Sequence, residues 1–241
     1  VESNPEIGSG HAMRMLALTS MLHNHFDLYV AFREMPKGTE NLYLQFGVTL
    51  INLSDTSPDE EFDFIFLKVN SLDIAIVDGY QTLDYFKYGC LEKRIKLVLI
   101  DDLLINRIKA DLIINHSPGI NESDYRPLKN TIFCLGLDFA LIQDCFLDQA
   151  KSIVDSSEKD EGIFVSLGGA DPENLTPNLL SFLISNTKVN INCVLGPLNK
   201  NSDLIKKKFE DRSARIVFHN NISSKEIRKL MISSKIGICA A

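Results

Sequence analysis

The sequence lacks any concentrated run of basic residues, and its overall charge is acidic. Its 241 residues contain 25 Lys and Arg against 32 Asp and Glu, which gives a net charge of −7. Such a charge repels a phosphate backbone, whereas nucleic-acid binding needs a basic surface. The short run at residues 206–208 is interpreted as a solvated helix face. We therefore expect no nucleic-acid partner.

Long apolar runs, paired cysteines and clustered histidines are also missing. No run approaches the ~20 residues that cross a bilayer, and residues 1–4 do not resemble a signal peptide. The five cysteines are widely spaced, without a C-x-x-C pair, as expected of buried, reduced thiols. The histidines other than His11 lack the spacing of metal ligands. We expect a cytoplasmic protein with no membrane span, metal site or cofactor.

The sequence does contain a regular alternation of short apolar runs with helical patterns, which is typical of parallel α/β proteins. The predicted strands of the first half are Leu28–Phe32, Ile74–Val77, Leu97–Ile100, Leu112–Ile114 and Thr131–Cys134. After a charged surface connection near residues 155–162, the predicted strands are Ile163–Leu167, Asn190–Leu195, Ile216–His219 and Ile236–Ala240. We predict two Rossmann-like domains, 1–150 and 160–241, that face each other across a cleft.

Three further features concern the limits of the chain and one unusual segment. Val1 is interpreted as the end of a first strand, and the last predicted strand is still running at Ala241, so we expect some sites to lie outside this sequence. Residues 40–45, Glu-Asn-Leu-Tyr-Leu-Gln, resemble a protease site used to remove expression tags. Because strand-like residues follow, a natural edge segment is favoured over an engineered scar.

The turn Gly8-Ser9-Gly10-His11 precedes an amphipathic helix that contains Met13, Leu16 and Ala17. Glycines allow a sharp turn and a close approach of ligand to backbone N–H groups. Met13 stands where a dinucleotide fingerprint has its third glycine, so NAD binding is disfavoured. The positive end of the helix dipole favours a neutral His11 imidazole, which can act as a base. A helix-capping or packing role for His11 fits equally well.

A second glycine turn, Gly168-Gly169, follows a predicted strand of the second domain. Its amides could hold a diphosphate, and the next helix N-terminus would favour the negative charge. Glycine could equally serve the geometry of the turn alone, and for Gly196 we prefer that interpretation.

Polar residues follow several strands of the first domain, at the edge where ligands bind in such sheets. These residues are Asp78, Tyr80, Asp101, Asp102, Asn115 and Tyr125. They could bind sugar hydroxyls or orient His11, and the aspartates could instead be helix N-caps.

Five segments in this order resemble one family. They are Ile7-Gly-Ser-Gly-His-Ala-Met-Arg14, Ile76-Val-Asp-Gly-Tyr80, Ile100-Asp-Asp102, Leu135-Gly-Leu-Asp-Phe-Ala-Leu-Ile142 and Val165-Ser-Leu-Gly-Gly-Ala-Asp-Pro-Glu-Asn174. The family is PseG, the UDP-sugar hydrolases of pseudaminic acid biosynthesis. Pseudaminic acid is a sugar used in flagellin glycosylation. The resemblance covers nearly the whole chain. It implies the GT-B fold shared with MurG and the substrate UDP-2,4-diacetamido-2,4,6-trideoxy-β-L-altropyranose.

The resemblance also implies roles for individual residues. His11 would activate the water that displaces UDP with inversion at the anomeric carbon. The implied sugar-side residues are Gly10, Arg14, Asp78, Tyr80, Asp101 and Asn115. The implied UDP-side residues are Gly168, Gly169, Asp171 and Asn174. Gln143 stands where the family usually has Arg, and the segment that would hold uridine is expected beyond Ala240.

Two other functions remain open at this point. A GT-B glycosyltransferase would need a groove for an acceptor, and a non-catalytic nucleotide-sugar binding protein would tolerate the loss of His11. The implied partner in every case is a small-molecule UDP-sugar, and we expect a monomer.

Overall fold

The computed structural model describes residues 1, 6, 8–69, 71–78, 83–104, 110–125, 130–147, 160–212 and 214–240. They form two compact units. The first comprises Val1–Glu2 and His11–Ile142, and the second comprises Ser3–Gly10 and Gln143–Ala241. Most of the predicted connection at residues 155–162 lies outside the described residues, so the predicted domain boundary stays a prediction.

The first unit contains six parallel strands in two sheets. One sheet pairs β1 (Tyr29–Phe32) with β2 (Thr49–Asn52), and the other has the order β3-β4-β5-β6. The strands of the larger sheet are β3 (Ile74–Asp78), β4 (Lys96–Ile100), β5 (Leu112–Asn115) and β6 (Ile132–Leu135). The helices are α1 (Gly10–Leu22), α2 (Lys37–Leu44), α3 (Glu61–Lys68) and α4 (Leu83–Lys93).

The apolar pattern of the sequence explains these elements. Leu97 and Leu99 of β4 pack with Ile113 of β5 in the core of the larger sheet, as expected for a parallel strand covered on both faces. In α1 the buried residues Ala12, Leu16 and Thr19 follow the helical period and form one face.

A cavity of about 210 Å³ lies in the first unit between β1 and β3. Its lining includes every residue of Leu28–Phe32 and of Ile74–Asp78. Successive side chains of a strand point to opposite faces of a sheet. A cavity that contacts every residue of a strand therefore lies beside the edge of that strand and not over one face. The cavity therefore lies within the layer of the sheets, and it extends to Asp78 at the end of β3.

The second unit contains one parallel sheet with the order β10-β7-β8-β9. Its strands are β7 (Asp160–Ser166), β8 (Ile191–Leu195), β9 (Ile216–Asn220) and β10 (Ser234–Cys239). Its helices are α5 (Asp144–Leu147), α6 (Thr176–Asn186), α7 (Ser202–Phe209) and α8 (Ser224–Ser233). A reciprocal pair of hydrogen bonds between Ser223 and Glu226 starts α8, which is a capping box.

The predicted α/β architecture with parallel sheets is confirmed, and two local expectations are wrong. Residues 40–44 of the predicted edge segment belong to α2, where Tyr43 is fully buried and its hydroxyl donates to the Ala12 carbonyl at 2.6 Å. Tyr43 therefore packs this helix onto the core, while Asn41 and Leu44 are exposed. Cys90 and Cys193 are buried as expected, but Cys239 in β10 is exposed. None of the described helices has the length and apolar character needed to cross a membrane.

The contact between α3 and α4 leads to a prediction about stability. A Cβ atom added to Gly89 of α4 would overlap the ring of Phe62 in α3, whereas a Cβ on Gly38 of α2 would meet nothing within 4 Å. We expect Gly89→Ala to lower the free energy of unfolding by about 1–3 kcal/mol through overpacking. Gly38→Ala is the matched control and should raise it by up to about 1 kcal/mol through helix propensity. Urea denaturation measures both, and a Gly89→Ala protein as stable as the control would contradict the packing.

Candidate active site

The carboxyl ends of three neighbouring strands bring polar side chains to one edge of the larger sheet. Asp78 ends β3, Asp101 and Asp102 follow β4, and Asn115 ends β5. The register places Asp78 opposite Ile100, so the three ends are level. Ligands bind at this edge in parallel sheets. The sequence correctly identified where these side chains would gather.

Helix α1 adds a histidine and an arginine to this edge. His11 and Arg14 are three residues apart and so lie on the same face of the helix. The His11 Nδ1 atom lies 2.7 Å from Asp78 Oδ1. Arg14 donates from Nε to Asp78 Oδ2 at 2.7 Å and from Nη2 to Oδ1, which makes a two-point contact with the carboxylate. All three residues belong to the first unit.

The side chain of Asp78 has no exposed surface, which makes its charge state depend on its partners. Burial favours the neutral acid, but hydrogen bonds and attraction from Arg14 and His11 outweigh it and hold the pKa of Asp78 below its usual value. Tyr43 is the other ionisable group nearby, and burial together with the Asp78 charge raises its pKa. Asp78 is therefore a carboxylate and Tyr43 a neutral phenol near pH 7.

Two contacts of His11 imply different positions of its proton. Nδ1 lies 2.7 Å from Asp78 Oδ1 and 2.9 Å from Arg14 Nη2. A bare Nδ1 would accept from Arg14 but would face the carboxylate lone pairs at 2.7 Å, which is repulsive. A protonated Nδ1 donates to a charged acceptor, the stronger kind of hydrogen bond. We therefore assign the proton to Nδ1, which leaves Nε2 with the lone pair.

Arg14 also contacts a second acid. Its Nη1 atom donates to Asp102 Oδ2 at 2.7 Å. The exposed fraction of the Arg14 side chain is 14%, against 32% for Asp102, so this second pair is nearer to solvent. The guanidinium thus joins two carboxylates from successive strand ends.

Asp101 and Asn115, two of the expected sugar-side residues, are almost completely buried. Asn115 Nδ2 donates to the Tyr125 hydroxyl at 2.8 Å, and its Oδ1 accepts from the Ser117 amide at 2.9 Å. Asp101 accepts from the Leu103 amide at 3.0 Å and from the Tyr125 hydroxyl. Burial and the Asp101 charge raise the pKa of Tyr125 to about 12, so the phenol keeps the proton that it donates. These groups are engaged with each other inside the protein.

In the second unit, the glycine turn after β7 is closely packed. Gly168 has a φ of +81°, which favours glycine. A Cβ on Gly169 would overlap Ser9, a residue of the first glycine turn that belongs to the same unit. A Cβ on Gly196 would overlap the carbonyl oxygens of Gly168 and Gly169. A side chain at residue 169 would thus collide with that of Ser9, and one at residue 196 would collide with the backbone of the Gly168-Gly169 turn, whatever ligand the turn binds.

Asp171 is engaged at the start of α6. Its carboxylate accepts from the Leu175 amide at 2.9 Å, the Thr176 amide at 3.0 Å and the Thr176 hydroxyl at 2.6 Å. Leu175 is the N-cap residue and Thr176 is the first residue of α6, and Pro177, which follows, has no N–H. Asp171 therefore satisfies amides that lack a partner within the helix. We expected this helix start to favour the charge of a diphosphate, and Asp171 already occupies these two amides. The turn amides of residues 168–170 are the remaining candidates.

The other expected site residues are placed as follows. Gly10 is the first residue of α1, and Asn174 is exposed with a φ of +51°. Tyr80 lies outside the described residues. Among the residues that the structure describes, no group of three or more His, Cys, Asp or Glu side chains could hold a metal ion. The sequence did not identify the buried Tyr43, because nothing in the sequence indicates that this residue lies beside the charged site.

One comparison with known proteins supports the sequence resemblance. No family model matches the chain. The chain is 29% identical over 241 residues to the UDP-2,4-diacetamido-2,4,6-trideoxy-β-L-altropyranose hydrolase of Campylobacter jejuni. The alignment covers 97% of this chain and 82% of that protein. The resemblance to the PseG family is thereby confirmed.

Two solved structures share the fold. MurG of Acinetobacter baumannii matches with a TM-score of 0.53 and 12% identity, over 99% of this chain and 71% of that one. Anabaena HepE, in complex with UDP and glucose, matches with a TM-score of 0.59 and 13% identity, over 95% of this chain and 70% of that one. At this identity the likeness concerns the fold alone, and it confirms the predicted GT-B class.

The buried network around Asn115 gives a testable prediction. Tyr125→Phe removes the hydroxyl that serves both Asn115 and Asp101, and it leaves a buried donor and a buried carboxylate short of a partner. We expect a loss of about 1–3 kcal/mol in the free energy of unfolding. Tyr88→Phe is the control because Tyr88 is exposed, and it should change little. Equal stability of the two variants in urea would refute the network.

Proposed function

We propose that the protein is a nucleotide-sugar hydrolase that releases UDP from UDP-2,4-diacetamido-2,4,6-trideoxy-β-L-altropyranose, in pseudaminic acid biosynthesis. The resemblance to the Campylobacter jejuni hydrolase supports the substrate. The GT-B fold supports the broader class of enzymes that act on UDP-sugars. The reaction itself is supported by the chemistry of the site at the end of β3.

The observation that carries the proposal is the contact between His11 and Asp78. An ionised, buried carboxylate that accepts from Nδ1 fixes the ring and its tautomer, and it stabilises the imidazolium that forms when Nε2 takes a proton. Such an arrangement suits a general base, which contributes ~10²–10⁴ in rate. A histidine that only capped α1 would not need a buried carboxylate at Nδ1.

The proposed reaction is a single displacement. His11 Nε2 accepts a proton from water as the water oxygen bonds to the anomeric carbon. The bond from that carbon to the phosphate oxygen breaks, and UDP leaves with the electron pair. The products are UDP and the free sugar with inverted anomeric configuration. The second unit would hold the diphosphate through turn amides, which can stabilise the charge that develops on a leaving group.

This proposal leaves Asp101, Asn115 and Asp171 with supporting roles. Their polar atoms are engaged with protein partners, so we assign them to holding the strand ends and the start of α6. We keep Gly10, Gly168, Gly169 and Asn174 as ligand-side residues of the proposal. Tyr80 remains a sugar-side residue on the resemblance alone.

The test follows UDP and free sugar by NMR with the UDP-altrose derivative, and UDP-GlcNAc serves as the comparison substrate. We expect the wild-type protein to release UDP and free sugar without an acceptor. His11→Asn should lower kcat by about 10²–10⁴-fold, because the general base is lost.

The control for this experiment is His25→Asn, since His25 is exposed beyond the end of α1 and should be dispensable. Undiminished turnover by His11→Asn would refute its role. Release of UDP only after an acceptor is added would identify a glycosyltransferase, and binding of the UDP-sugar without turnover would identify a binding protein.

A further inference from the structure

Arg14 was expected to bind the sugar, but its guanidinium is directed at protein carboxylates. Three of its contacts are charged hydrogen bonds, two to Asp78 and one to Asp102. An arginine has five N–H donors in a fixed planar fork, so these bonds fix both its position and its orientation. We propose that Arg14, anchored by Asp102, is a positioning residue that fixes the Asp78–His11 pair, rather than a group that binds substrate.

The charge on Asp78 depends on the ionisable groups that face it. Among the described residues these are His11 and Arg14 from α1 and Tyr43 from α2. Tyr43 is neutral near pH 7, so Arg14 supplies the permanent positive charge in this set. A fully buried carboxylate without a cation would favour the protonated acid.

The charge state of Asp78 determines which ring nitrogen of His11 carries the proton. While Asp78 is ionised it can only accept, and His11 must present Nδ1–H. A protonated Asp78 could instead donate to Nδ1, and the imidazole proton would then lie on Nε2. Arg14 therefore determines, through Asp78, which nitrogen of His11 can act as a base.

Asp102 restrains the outer end of the Arg14 side chain. The long side chain of an arginine could otherwise adopt several rotamers. Asp102 holds Nη1 at 2.7 Å, and the neighbouring Asp101 is fixed by the Leu103 amide and the Tyr125 hydroxyl. Residues 101–103, at the start of the loop after β4, are thus held in place through the buried Asp101, and Asp102 in turn restrains the guanidinium.

The experiment compares Arg14→Met, Asp102→Asn and the wild type. Arg14→Met keeps a long side chain but removes the charge, whereas Asp102→Asn keeps Arg14 and an acceptor oxygen but removes the negative charge of its anchor. The titration of the Asp78 carboxyl is followed by ¹³C NMR, with Asp78→Asn used for assignment. The His11 tautomer is read from the ¹⁵N shifts of its ring. Steady-state kinetics with the UDP-sugar provide kcat and KM.

We expect Arg14→Met to raise the pKa of Asp78 above that of the wild type, because burial then dominates. The population of the Nε2–H tautomer should increase, and kcat should fall by about 10²-fold, the contribution of a positioned base. KM should change far less. Asp102→Asn should shift the same readouts in the same direction by a smaller amount. Arg33→Met is the matched control, since Arg33 pairs with Glu61 in the same unit, and it should leave Asp78 unchanged.

Other outcomes overturn the proposal. A raised KM with unchanged kcat and unchanged Asp78 titration would show that Arg14 binds substrate. If Arg14→Met does not fold, judged by circular dichroism, Asp102→Asn decides, and an unchanged Asp78 titration in that variant refutes the anchor. The kinetic part rests on the proposed function, whereas the NMR part does not. Absence of UDP release by the wild type would thus refute the function and leave the positioning role to the titration.

Discussion

The candidate site depends on the pairing of one buried carboxylate. Asp78 ends β3 with no exposed side-chain surface, and an unpaired charge in such a place costs several kcal/mol. Arg14 and His11 supply the pairing from a single helical turn. The need for hydrogen-bond partners at the Asp78 carboxylate therefore sets the orientation of His11 and the position of Arg14. Asp102 in turn accepts a hydrogen bond from Arg14. Stability and proposed catalysis draw on the same contacts.

In the second unit, too, residues expected to bind a ligand make contacts within the protein. Asp171 accepts from the first amides of α6, and the backbones after β7 and β8 approach closely because Gly196 has no side chain. Ser9 fills the space beside Gly169. The glycines that suggest a ligand site are thus also required by packing. A diphosphate, as proposed, would use the turn amides that precede Asp171.

The sequence predicted the strands of the larger sheet from their apolar runs and α1 from its helical period, but it misassigned α2. The strands of the larger sheet follow from apolar runs such as that within Lys96–Ile100, where Leu97, Leu99 and Ile100 are buried. Residues 40–45 were misassigned because α2 is short and its pattern mixed, and the burial of Tyr43 against Ala12 is decided by tertiary contact. The sequence predicted that Asp78 and Asp102 lie at the same edge of the sheet, because each follows the end of a strand. It could not predict the direction in which each side chain points. Arg14 and Asp171 were assigned to ligands because a sequence cannot show that a protein carboxylate or amide already occupies them.

The central claim is that water, directed by His11, attacks the anomeric carbon. Hydrolysis of the UDP-sugar in ¹⁸O-labelled water tests it most directly, with mass spectrometry of both products. The account predicts one ¹⁸O atom in the free sugar and none in UDP, because the carbon–oxygen bond breaks. Label in the phosphate of the nucleotide would contradict it, since the bond broken would then be phosphorus–oxygen.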